Sequence, residues 1–329
     1  MCTLNYEPIS FTARMGMVTA IQENGVCRSD RVSPLDSQRW LPAVMFGLFV
    51  AGYVGVEISL PRFPVASQFK VVPVEFHLWV ALLGAVLGSA AAAGVYFCCS
   101  LVGVVRLAGR FSLTTIVGSI SSVLVVGGTV LAALFIESSN AQPSVDRSLA
   151  LETRPIILVA SLCITPGLFA FMGLRLIGRS DKCWGESGNC RLRLLVRVRM
   201  EIRRLLSLLG ALLTLLVITT GMRRRALLAF DEHLPIPPET VLLYGLVFAA
   251  MLGLFFLGAN NAVDTRARQL LDEFAPLPDP ADPTISERIA RRNDLAGLIG
   301  LGDSWRTFEN LVVVAAPLLT ALIGSALAP

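Results

Sequence analysis

Both histidines of this 329-residue chain fall beside carboxylates. His77 and Glu75 open one apolar stretch, Glu57 closes the stretch before it, and Asp231-Glu232-His233 follow the triplet Arg223–Arg225. Imidazole and carboxylate sharing an aqueous pocket can hold a divalent cation or respond to pH. None of these residues recurs at a metal-ligand spacing. Asp231 and Glu232 are therefore read as counter-charges to the arginines, and His77 as an interfacial residue. Of the seven cysteines, Cys183 and Cys190 frame the stretch CWGESGNC. Two thiols without a neighbouring histidine fall short of the four ligands of a structural zinc. They are expected to be free thiols in a reducing compartment. Cys98, Cys99 and Cys163 lie in apolar stretches as small core hydrophobes, and Cys2 and Cys27 lie near the start of the chain. No metal or cofactor site is expected.

The deep polar groups are hydroxyls: Thr114, Thr115, Ser119, Ser121, Ser122, Thr214, Thr219 and Thr220. No Asp, Lys, Arg or His lies near the middle of any apolar stretch; Glu57, Arg306 and Glu309 sit at stretch ends. Pumps and ion-coupled transporters place an ionisable group near the bilayer midplane despite its cost. Hydroxyls there mostly bond back to the i−4 carbonyl or join helices. That argues against a driven transporter and leaves a passive permease open.

One tetrapeptide, Gly300-Leu301-Gly302-Asp303, is similar to the active-site motif of presenilin-type aspartyl intramembrane proteases, with Pro317-Leu318-Leu319 a loose echo of that family's Pro-Ala-Leu. The resemblance implies two membrane aspartates sharing a proton, because like charges at close range split their pKa values. The family's second aspartate belongs to a Tyr-Asp pair, which this chain lacks, and Asp264 lies outside the apolar windows. The tetrapeptide is therefore read as structure. Gly300 and Gly302 end a helix in left-handed conformations, and Asp303 or Ser304 caps the next helix.

The elements that position these groups are seven apolar windows, at 41–60, 78–105, 112–136, 155–174, 205–221, 241–259 and 311–326. Each suits the ~17–25 residues that cross a hydrocarbon core of ~30 Å as a helix. Only helices satisfy their own backbone there, and the alternating segments of a barrel are absent. The sequence thus predicts an all-α, polytopic transmembrane bundle of seven spans. Residues 1–39 form a disordered tail without a signal peptide, and 40–329 form one transmembrane domain.

Of 28 basic residues, 21 fall in the tail and the second, fourth and sixth loops, and 7 on the other side. Retention of basic residues during insertion makes the richer side cytoplasmic, with the amino terminus inside and the carboxyl terminus external. A re-entrant fifth window would weaken the asymmetry to 18 against 10, so seven crossings are preferred.

Small residues at Gly84, Gly88 and Ala92, and at Gly118 and Ser122, mark close helix packing in the second and third spans. Residues 191–204 pattern as a basic amphipathic helix at the headgroup boundary. Leu194, Val198, Ile202 and Leu205 face one way, while Arg193, Arg197, Arg203 and Arg204 face anionic lipid. Loop 260–307 is expected to continue the sixth helix, turn at Pro276-Leu277-Pro278-Asp279-Pro280, and start a second helix at the capping box Thr284-x-x-Glu287. This hairpin is the expected docking place for a protein partner. It carries no phosphate loop or nucleophile motif. Stacking aromatics interleaved with the basic residues are missing, which argues against nucleic acid. The expectation is a multi-pass cell-membrane protein acting as a binding, scaffold or regulatory subunit. A passive permease for a small neutral or apolar solute is the alternative, and a membrane enzyme comes third.

Overall fold

The computed structural model describes residues 41–59, 73–108, 144–180, 184, 188–230, 239–278, 284–301 and 304–326. Its regular elements there are all helical: α1 (Leu41–Ser59), α2 (Val74–Ala108), α3 (Ser144–Arg179), α4 (Gly188–Phe230), α5 (Glu239–Phe274), α6 (Ile285–Ile299) and α7 (Ser304–Ala326). Four helical stretches are long and apolar enough to cross a membrane: Val74–Leu107, Leu162–Arg179, Cys190–Ala229 and Val241–Phe274. Shorter apolar helices cover Phe46–Gly55 and Glu309–Gly324. Among the described residues the chain is thus all-helical, with four helices that suit a membrane by length and composition. The third window (112–136), with Gly118 and Ser122, the tail 1–39, His233, Gly302 and Asp303 lie outside the described residues.

Close approaches between helices set their relative directions. Phe49 and Tyr53 of α1 meet Gly88 and Gly84 of α2, so these two helices are antiparallel. Gly94, Phe97 and Val104 of α2 meet Cys163, Gly167 and Gly173 of α3 in the same order, so α2 and α3 run parallel. Arg191 and Arg199 of α4 pair with Glu273 and Asp264 of α5, and Gly221 lies against Val241, which makes α4 and α5 antiparallel. Gly245 and Gly253 of α5 face Ala321 and Val314, so α7 returns antiparallel to α5. The first residue of α1, the last residues of α2, α3 and α5, and the starts of α4 and α7 therefore share one end of the bundle.

The helices outrun the apolar windows that motivated them. α4 is one unbroken helix of 43 residues and α5 one of 36, which at ~1.5 Å per residue is roughly 65 and 54 Å. A hydrocarbon core of ~30 Å cannot hold either. Beyond their windows, 188–204 of α4 and 260–274 of α5 continue side by side, and α6 folds against them.

The apolar stripe of α4 turns out to be protein core. Leu194, Val198, Ile202 and Leu205 are all buried and join one cluster with Leu174, Ile177, Val263 and Leu270. The expected surface helix is instead the upright extension of a long bundle helix. An amphipathic stripe has the same spacing whether its partner is lipid or a neighbouring helix. Cys98 is exposed and not a core residue, while Cys163 packs against Gly94.

Candidate functional site

The arginine-rich end is the place where charged chemistry gathers. α5 supplies acids, and α4 and α6 supply guanidinium groups. Arg191 Nη1 donates to both carboxylate oxygens of Glu273, at 2.8 and 2.9 Å. Arg199, only 8 % exposed, pairs with Asp264, whose second oxygen accepts from Asn260 Nδ2 at 2.8 Å. Arg292 of α6 reaches Asp272 at 2.5 Å and the carbonyl of Ala275, so one side chain ties α6 to the last turn of α5. Paired guanidinium groups can be held close to apolar surface because the carboxylate offsets part of their desolvation cost.

The α3–α4 connection is pinned to the same place. Trp184, 1 % exposed, donates its indole N–H to the carbonyl of Ile177 at 2.9 Å, and the guanidinium of Arg266 lies 5.4 Å from its ring centroid. Nothing in the pattern CWGESGNC marks Trp184 as core; only the arrival of α5 beside the end of α3 does so. Cys190 is disulfide-bonded, which corrects the expectation of a free thiol.

A second polar contact joins α2 to α4. Tyr96 donates its hydroxyl to Glu201 Oε1 and Oε2, at 3.0 and 3.1 Å, and Arg204 lies beside the same hydroxyl. The sequence singled out Arg204 for lipid but neither Tyr96 nor Glu201, which are 105 residues apart. Of the four arginines expected to meet headgroups, Arg204 is exposed and Arg193, Arg197 and Arg203 are partly exposed; all four lie off the buried stripe.

The hydroxyl half of the capping box does not form. Thr284 makes no side-chain cap bond, because its φ of −96° and ψ of 16° are not the extended geometry that aims a hydroxyl down the helix axis. Its carbonyl accepts from Arg288 N at 3.1 Å instead. The other end of α6 is as the sequence implied. Gly300 is left-handed at φ 74°, Leu301 N–H bonds Ala296 O at 2.8 Å, and Gly300 N–H bonds Gly297 O at 3.1 Å. The first two residues of the protease-like tetrapeptide thus close a helix. Asp264 is committed to Arg199.

Thr219 and Thr220 bond back to the carbonyls of Leu215 and Leu216, as hydroxyls in apolar helices do. Among the described residues, no group of His, Cys, Asp and Glu side chains is arranged to hold a metal ion. His77 packs edge-on to Phe76. Compared with known proteins, the chain matches no family model, no curated protein and no solved structure.

Proposed function

We propose that this chain is a seven-span protein of the cell membrane that acts as a binding, scaffold or regulatory subunit, with its arginine-rich end in the cytoplasm. The helix directions support the crossing number. α2 and α3 are parallel neighbours, the arrangement expected of two spans separated by one further crossing. The unbroken α4 beside an antiparallel α5 favours a full fifth crossing over a re-entrant one. The sequence assigns 21 of the 28 basic residues to the segments on this side of the apolar windows, which favours a cytoplasmic amino terminus and an external carboxyl terminus. Arg193, Arg197, Arg203 and Arg204 there attract anionic headgroups through charge alone, since the stripe opposite them serves the core.

The observation that carries the scaffold reading is the ion-paired helical layer beyond the apolar windows, with α6 displayed upon it. α6 buries Ile299 while Ile289 and Leu298 stay 41 % and 53 % exposed. That layer gives loop 260–307 a rigid platform for a protein partner. The test is purification of the full chain in mild detergent, with wild type compared against Ile289→Asp/Leu298→Asp. A stoichiometric partner that is lost from the double variant supports the reading. A chain that purifies alone and conducts small neutral solutes in liposomes overturns it in favour of a permease.

A further inference from the structure

The seam between α3 and α5 holds an arginine that the ion-pair network leaves out. Arg175 crosses α5 at Gly258, where an added Cβ would stand 3.4 Å from its Nη1 and 3.5 Å from its Cδ. Its Nε is buried without a hydrogen-bond partner. Asp264, six residues further along α5, already serves Arg199 and Asn260. No carboxylate among the described residues pairs with Arg175. A guanidinium stays charged at any physiological pH, and its desolvated N–H groups are costly when unmatched. An anion from outside the chain is the natural complement.

The surroundings name the kind of anion. Arg175 is the first residue past the apolar window 155–174. On the adjoining face of α5, Leu254 and Leu257 are 71 % and 49 % exposed, while Asn261, one turn further, is an exposed polar residue. The seam therefore passes from lipid-facing leucines to polar surface at the level of Arg175. A basic group between helices at this level suits a phosphodiester whose acyl chains lie along apolar side chains. We propose that Arg175, in the gap left by Gly258, binds the phosphate of an anionic phospholipid in the leaflet at the arginine-rich end, with an acyl chain along Leu254 and Leu257. This inference rests on the membrane reading above.

The test uses the full chain in detergent and reads the thermal midpoint and lipid adducts by native mass spectrometry. Additions are dioleoyl-phosphatidylglycerol, dioleoyl-phosphatidylcholine or inorganic phosphate. Phosphatidylglycerol should raise the wild-type midpoint more than phosphatidylcholine does, and inorganic phosphate should not reproduce the rise. Arg175→Gln should lose more than half of the rise and most of the adduct. Gly258→Val, which keeps every arginine but fills the gap, should do the same. Arg268→Gln, on exposed α5 surface, should behave as wild type. Arg175→Lys, which keeps the charge without the planar fork, should retain part of the effect and provides a folded comparison if the glutamine variant is unstable. A full rise in both the Arg175 variants and Gly258→Val overturns the site, and an equal rise with inorganic phosphate overturns the lipid source. Release of the wild-type chain from carbonate-washed membranes would instead sink the membrane reading itself.

Discussion

Arg199 on α4 and Asp264 on α5 form an ion pair whose arginine side chain is 10 % exposed and whose aspartate side chain is 32 % exposed. Removing the aspartate leaves a buried guanidinium without its main acceptor. Asp264→Ala should destabilise the chain by about 2–3 kcal/mol, below the ~3–5 of a fully buried pair because Asp264 keeps contact with solvent. Arg199→Met/Asp264→Leu should recover most of that loss, since a packed apolar pair avoids the desolvation cost. Thermal unfolding in detergent reads both. A double variant as unstable as the single would show that the pair is not the source of the effect.

Gly88 touches the backbone of α1 so closely that an added Cβ would collide with the carbonyl of Phe49, and Gly52 faces Gly88 across the same crossing. Gly88→Ala should cost about 1–3 kcal/mol, because two backbones must separate where no side chain can rotate away. Gly47→Ala on α1, with nothing within 4 Å of the new atom, should be tolerated. Protease nicking of the α1–α2 connection should increase in the first variant alone. Equal behaviour of the two would mean that α1 does not pack on α2 through this crossing.

Trp184 anchors the α3–α4 connection through Ile177 and Arg266. Trp184→Ala should cost about 3–5 kcal/mol, the usual range for emptying a buried aromatic site. Trp184→Phe keeps a ring for Arg266 and loses only the indole hydrogen bond, an expected cost of about 1–2 kcal/mol. Thermal midpoints should rank wild type, Phe, Ala in that order. A phenylalanine variant as damaged as alanine would assign the indole N–H more weight than packing.

Orientation is read by impermeant maleimide on intact cells, using single cysteines in an otherwise cysteine-free chain. Leu277→Cys reports the arginine-rich end, where Leu277 is 74 % exposed, and Glu239→Cys reports the opposite end, where Glu239 is also exposed. Glu239→Cys should label in intact cells and Leu277→Cys only after lysis. The reverse pattern would invert the topology and remove the positive-inside argument.

Helical character and helices apolar enough to cross a membrane were legible from the sequence because they depend on local composition. A run such as Val241–Ala259 satisfies its own backbone and suits lipid wherever it is placed. The left-handed stop at Gly300 was legible for a similar reason, since φ 74° favours a residue without a Cβ. The tertiary structure decided what the periodic patterns faced. Leu194, Val198, Ile202 and Leu205 have the spacing of a lipid-facing stripe, yet their environment depends on α3 and α5, whose nearest residues lie far along the chain. The pairing of Tyr96 with Glu201, the seat of Trp184 and the gap at Gly258 that admits Arg175 depend likewise on which helices become neighbours. Such contacts are long-range choices among many apolar faces of similar strength, and a single chain's local periodicity does not distinguish them.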